Sequence, residues 1–347
     1  MNPSLRVKRV IQRSLRKLGY NVYRMTGEER TAFERLEQRA TGQSLNSVFG
    51  AKLERLQELR RRYATVRLPV AIHSVWGSRS NSESLADVGW GGVDLRNFRG
   101  HSAYVWDYGS ASFEASNLKY FLFTQAVRQK DHLDLLGKLT EDGAFGCSTF
   151  DYADVGRVSR DLLDSVVEIN FLEDHLGLMK RDDLRVLDVG AGYGRLAHRM
   201  LEAHPGIKSY TCVDAVPEST FLCEFYLKHR GLDHRAEIIP LDELNAALQP
   251  AGGYNLAINI HSFSECTYAA IEWWLRRIKE VGVRHLLIVP NDPTRFLSLE
   301  PDRSHRDYAP LLQEIGFSQI AQEPVFDDPQ VQALIGVRDN MFLFELA

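Results

Sequence analysis

Residues 185–196 read RVLDVGAGYGRL, and the fold of this 347-residue chain is decided here. Arg185 to Val189 is a short apolar run that carries Asp188 near its end. Gly190-Ala191-Gly192-Tyr193-Gly194 follows at once, and then a helical pattern, LAHRMLEAH. A buried strand that turns tightly into a helix brings backbone amides and a positive helix end to one place. Glycines there let a ligand approach backbone that a Cβ would block. Nucleotide-bearing cofactors bind at such a place, the carboxyl edge of a parallel sheet.

Spacing narrows the ligand. A dinucleotide fingerprint beginning at Gly190 and Gly192 requires a small residue at position 195, which is Arg195, and the third glycine arrives one residue early at Gly194. An arginine at that point obstructs the close strand–helix packing of a dinucleotide site, which argues against a nicotinamide oxidoreductase. Downstream, SYTCVDAVPEST is strand-like from Ser209 to Val213 and ends in Asp214, 26 residues after Asp188. An acid at the tip of the second strand accepts hydrogen bonds from ribose hydroxyls. The same acid also suits a helix start, since Pro217 and Glu218 open another helix. Asp188, Gly190, Ala191, Gly192, Tyr193, Gly194, Asp214 and Ala215 are therefore the candidate cofactor residues. Leu241 and Asp242 join them at the end of the next strand, AEIIPL, as candidates for the adenine end.

The C-terminal half alternates strands and helices, with strands expected at 185–189, 209–213, 236–241, 254–260, 284–290, 317–324 and 340–346. This pattern predicts an α/β fold with a mostly parallel seven-stranded sheet and helices on both faces. The last two strands, with no helical pattern between them, read as an antiparallel hairpin. The fourth strand, NLAINI, ends in Asn259, which is expected to face the cofactor or the acceptor. His261-Ser262-Phe263-Ser264-Glu265-Cys266 follows. Histidine acts as a general base near neutral pH, and Glu265 one turn on can orient it or bind the acceptor. A helix cap explains His261 equally well. The fifth strand ends in Asn291-Asp292-Pro293, where Asp292 is a candidate acceptor-binding residue and also an ordinary turn residue. His305 is a further base candidate.

D-x-G-x-G-x-G at Asp188 to Gly194 resembles motif I of the class I S-adenosylmethionine-dependent methyltransferases. More narrowly, residues from about Gly156 to Phe263 resemble the sugar O-methyltransferase family found in polysaccharide biosynthesis clusters. SRDLLDSVVEINFLEDHLGL, RVLDVGAGYGRLAHRM, CVDAVPES and above all INIHSFSEC carry that resemblance. It implies methylation of a sugar hydroxyl on a polysaccharide, glycolipid or related precursor, with S-adenosylmethionine as donor. Small-metabolite O-methylation and a non-catalytic, cofactor-binding scaffold in a glycan-assembly complex are the rivals. No carboxylate cluster declares a metal, although His261, Glu265 and Asp292 are groups that can bind Mg²⁺.

The composition is that of a globular protein, with 44% hydrophobic and 25% charged residues. The four cysteines form no C-x-x-C pair, which is thiol usage suited to a reducing compartment. No apolar run approaches the roughly 20 residues a membrane helix needs. The overall charge of −4 hides an asymmetry: residues 1–27 hold seven basic residues and no acid, and subtracting them leaves −11 on residues 28–347. Val7, Val10, Ile11, Leu15 and Leu18 share one face of a helix there, opposite Arg6, Lys8, Arg9, Arg13 and Arg16. Such a helix suits an anionic membrane surface or the protein's own acidic body, giving a cytoplasmic protein, peripheral at the inner membrane surface in the first case. The acidic remainder argues against nucleic acid. Expected divisions are 1–27, this basic helix; 28–155, a mainly helical accessory region whose aromatic stretch from Trp76 to Tyr108 is either acceptor lid or core; and 156–347, the methyltransferase domain. The sequence leaves oligomeric state open.

Overall fold

The computed structural model describes residues 49–72, 95–100, 113–248 and 253–346. The basic segment 1–27 and most of the aromatic stretch 76–108 lie outside these residues.

The core is a seven-stranded sheet in the order β5-β4-β3-β6-β7-β9-β8. Its strands are β3 (Arg185–Val189), β4 (Ser209–Val213), β5 (Ala236–Ile239), β6 (Leu256–Ile260), β7 (His285–Val289), β8 (Phe317–Pro324) and β9 (Asn340–Leu346). β3 to β7 are mutually parallel, and β9 runs antiparallel to both of its neighbours. This is the α/β, mostly parallel seven-stranded sheet that the strand–helix alternation predicts, in the strand order of the class I methyltransferase fold. The parallel strands are apolar almost throughout, as strands covered on both faces must be. The chain order reverses between β3 and β6, so a crevice opens beyond their carboxyl ends, where open α/β sheets bind ligands.

Helices α1 (Leu53–Tyr63), α2 (Phe113–Lys130), α3 (Arg160–Leu176), α4 (Arg195–Ala203), α5 (Pro217–His229), α6 (Tyr268–Glu280), α7 (Ala309–Ile315) and α8 (Pro329–Ile335) cover the sheet and its edges. α3 starts where Ser159 Oγ accepts from the Leu162 amide and stops at Gly177 in the left-handed region. It packs against both α2 and α4, so even its Asp161, Ser165 and Glu168 are buried. The small antiparallel pair β1 (Thr149–Tyr152) and β2 (Gly156–Ser159) spans the division expected at 155/156.

The last two strands pair antiparallel as expected, but with a helix between them. That helix, α8, is seven residues long, capped by Asp328 and ended by Gly336; D-P and I-G are its signals, too close together to show a periodicity. α2 ends at Lys130, and both oxygens of Asp131 accept amides of the separate short helix at Leu135–Lys138.

Among the accessory elements, α1 is tied to α5 by Arg55–Glu224 at 2.8 Å and Arg60–Glu218 at 2.5 Å. Arg62 pairs with Asp242 at 2.8 Å and also with Glu243. Tyr63 Oη lies 2.8 Å from Thr220 Oγ1. The accessory region thus grips the flank of the sheet beside β4 and β5.

Candidate functional site

The turn after β3 holds Gly190, Gly192 and Gly194 at φ of 79°, 59° and 84°. At Gly190 the reason is also spatial, because a Cβ would lie 2.1 Å from Ser262 Oγ. The first motif is thereby pressed against the H-S-F-S-E segment. At Gly194 a Cβ would stand 3.0 Å from Cys223 Sγ and 3.2 Å from Leu227, so the third glycine serves close packing against α5.

Four of the loop's amides are already engaged. The amides of Gly190 and Ala191 donate to the Val213 carbonyl at 2.9 and 3.2 Å, and that of Gly194 to Ala191. Gly192 donates to Asp214 Oδ2 at 3.0 Å, and Val216 to Oδ1 at 2.8 Å. These four amides are not available to a pyrophosphate, which needs free N–H groups. Instead the turn presents carboxylates. Asp188 accepts from Tyr210 Oη at 2.9 Å, and burial pushes it up to about 6. Burial pushes Asp214 up to about 7 against the pull of its two backbone donors, with Glu265 and Asp188 adding to the rise.

These groups line a cavity of about 460 Å³ at the carboxyl edge of β3, β6 and β7. That is within the usual 300–1,000 Å³ of a small-molecule site. Its charged lining comprises Asp164, Glu168, Asp188, Asp214, Glu265 and Asp339 against Arg160, Arg195 and Arg338. Acids outnumber guanidinium groups two to one, so the cavity favours a cationic or neutral occupant. Asp188, Asp214 and Glu265 gather at the glycine-loop end. His261, Arg160, Asp164 and Asp339 form a second group in the lining.

His261 has φ 63° and ψ −31°, a strained backbone for a residue with a side chain. Its neighbours hold it there. The His261 amide donates to Val289 at 2.7 Å, Ser264 donates to the His261 carbonyl at 3.0 Å, and Phe263 donates to Asn259 Oδ1 at 3.0 Å. Burial lowers the imidazole below its ordinary value, opposed by Asp339 and Asp164.

Behind the glycine loop lies a buried ionic cluster. Arg195 turns away from the sheet and donates to both oxygens of Glu168 at 2.8 Å, which is how this fold accommodates an arginine at that position. Arg99 and Arg199 both pair with Glu141 and Asp161 at 2.7–3.1 Å, all four side chains essentially without solvent contact. Tyr193 Oη donates to Asp161 at 2.5 Å. Tyr193 therefore touches the cavity with its ring buried and its hydroxyl anchored in the cluster.

Of the expected site residues, Asp188, Gly190, Ala191, Gly192, Tyr193, Asp214, Ala215, His261 and Glu265 line the cavity together. Gly194 stands just behind it as the N-cap of α4. Leu241, Asp242, Asn259 and Asp292 are not in the lining. Leu241 is core, and Asp242 faces Arg62. Asn259 is wholly buried, donating to the Val189 carbonyl at 2.9 Å and to Ser262 Oγ at 2.5 Å. Asp292 caps its own turn through the Thr294 and Arg295 amides, and its ion pair with Arg295 draws it down to about 2. His305 is exposed and bonded to the Ser298 carbonyl. Glu265 bears on Asp214 and Cys266, while the carboxylate beside His261 is Asp339. Sequence spacing missed Arg160, Asp164 and Asp339, which reach the cavity from elements over 70 residues from His261. Among the described residues no group of three or more His, Cys, Asp and Glu is placed to hold a metal.

Comparison with family models and with curated proteins finds no match. Among solved structures, a SAM-dependent methyltransferase from Leishmania major is similar at 15% identity over 65% of this chain and 83% of that one, TM-score 0.41. The riboflavin-analogue dimethyltransferase RosA from Streptomyces davawensis is similar at 19% identity over 54% and 58%, TM-score 0.37. The [4+2]-cyclase SpnF is similar at 14% identity over 65% and 96%, TM-score 0.39. Likeness at this level assigns no activity to this chain.

Proposed function

We propose that this chain is an S-adenosylmethionine-dependent O-methyltransferase. The observation that carries it is the glycine turn whose Gly190, Ala191, Gly192 and Gly194 amides are bonded within the protein and whose neighbouring cavity lining is rich in carboxylates. A sulfonium-bearing nucleoside suits that lining; a dinucleotide pyrophosphate does not. Asp214 would hold the ribose hydroxyls, and the backbone from Gly190 to Gly192 would lie along the ligand. When bound, S-adenosylmethionine supplies an electrophilic methyl group, its sulfur taking the pair of the broken S–C bond. His261 accepts the proton of the acceptor hydroxyl as the oxygen forms its bond to the methyl carbon. Alignment of two bound reactants contributes about 7–11 kcal/mol in such displacements, and a positioned base adds about 10²–10⁴-fold.

For the acceptor, the reading supported by the INIHSFSEC segment is a sugar hydroxyl in polysaccharide, glycolipid or related glycan biosynthesis. The end beside His261, with paired guanidinium and carboxylate groups, offers the donors and acceptors that neighbouring hydroxyls require. Residues 1–27 would bring the enzyme to an anionic cytoplasmic membrane surface, and salt-sensitive pelleting with anionic vesicles tests that. No helix among the described residues is long and apolar enough to cross a membrane.

Calorimetry with S-adenosylhomocysteine and NADH tests the cofactor, the first being expected to bind and the second not. Labelled methyl transfer onto nucleotide sugars, lipid-linked glycans and free oligosaccharides, with and without EDTA, tests the acceptor and any need for metal. Binding of NADH alone would overturn the assignment.

A further inference from the structure

A second group of charged residues in the cavity comes from four separated pieces of chain. His261 directly follows β6, Arg160 and Asp164 stand one turn apart at the start of α3, Arg195 opens α4, and Asp339 immediately precedes β9. Asp339 Oδ2 lies 3.9 Å from His261 Nε2 and 3.9 Å from Arg160 Nη2. Arg160 Nε donates to both oxygens of Asp164, at 2.9 and 2.8 Å. Arg195 is committed to Glu168. Both nearby guanidinium groups have closer carboxylates, and Asp339 stands at the same distance from the imidazole as from Arg160. His261 Nδ1 is buried with no hydrogen-bond partner, so with Asp339 beside Nε2 it is the nitrogen left to take the acceptor proton.

We infer that Asp339 is the positioning residue for His261, its carboxylate orienting the imidazole and supporting the imidazolium that forms when the acceptor proton is taken. This rests on the reading of His261 as the base. A buried imidazole with no carboxylate beside it protonates reluctantly, because burial disfavours its charged form. The groups that act on it are Asp339 from the entry to β9, Asp164 and Arg160 from α3, and Arg195 from α4. Asp339 leads the two that favour the proton, while burial and the two arginines oppose it. The 3.9 Å separation is longer than a hydrogen bond, as pairs of this kind often are before an acceptor closes the site. The final strand pair, remote in sequence from every nucleotide-binding element, would therefore tune the base.

The test is an NMR pH titration of the His261 ring in the full chain, assigned with His261→Asn, together with calorimetry of S-adenosylhomocysteine on the same samples. Asp339→Asn is expected to lower the His261 midpoint by about one pH unit. Asp339→Glu, which keeps the carboxylate, is expected to restore most of it, and cofactor-product affinity should stay within twofold in both variants. An unchanged midpoint in Asp339→Asn would overturn the proposal. Should that variant not fold, a midpoint in Asp339→Glu equal to that of a fully exposed histidine would overturn it as well. A shifted midpoint in a chain that binds no S-adenosylhomocysteine supports the pair and removes the cofactor reading, so the two failures are distinguishable.

Discussion

His261 bears two burdens at once, a strained backbone and a chemical role, and substitution separates them. With φ at 63°, an alanine there keeps the strain and loses the imidazole, whereas asparagine and glycine tolerate that region. His261→Ala is expected to be less stable than His261→Gly by about 1 kcal/mol in denaturant unfolding, although it retains more side chain. Both should cut turnover by about 10²–10⁴ and leave S-adenosylhomocysteine affinity within a few-fold. If His261→Ala is the more stable, the left-handed backbone is not strained. If turnover survives, the base is another residue. The neighbouring Asn259 shows where sequence reading stops. Its place at the end of β6 was legible, but a side chain at a strand end can face the ligand or tie two strands. Its bonds to Val189 and Ser262 show that it ties them.

At the scale of elements, local pattern was enough for the sheet. β3, β4, β8 and β9 coincide with the expected spans, and the other three differ only at their ends. Apolar runs flanked by turn residues carry that information along the chain itself. The pieces that the pattern could not reveal are those fixed by contacts between distant segments. Nothing in the sequence of α3 announces that Asp161 meets Arg99 and Arg199. Asp161 accepts from both guanidinium groups and from Tyr193, and they hold its carboxyl far below the ordinary range despite complete burial. Breaking one partner of such a cluster strands buried charge. Asp161→Ala is expected to cost about 3–5 kcal/mol in urea unfolding. A loss below 1 kcal/mol would mean that water enters and solvates the two arginines. Asp339 escaped notice for the same reason, since only the return of β9 beside β7 brings it to His261.

For the molecule as a whole, the acidic cavity makes ligand binding a function of pH. Asp214 titrates near 7 in the free protein, raised from its ordinary value by burial. A cationic ligand prefers the ionised carboxylate, so affinity should rise with pH up to about 7 and then level off. Between pH 6 and 8 the gain for S-adenosylmethionine is expected to be roughly tenfold by calorimetry. Asp214→Asn should flatten that slope and weaken binding at pH 8; an equal slope in the variant would assign it to Asp188. On stability alone the sign is opposite, because a carboxyl raised in the folded state stabilises most when protonated and loses that contribution as pH climbs toward 7. The buried cluster of Arg99, Glu141, Asp161, Tyr193 and Arg199 has a consequence on another timescale. Each member satisfies at least one of the others, so a replacement at any single position passes through a poorly folding intermediate. Among descendants of this chain these five are therefore expected to drift as a block, retained or exchanged together, while the acceptor end of the cavity remains free to diversify around them.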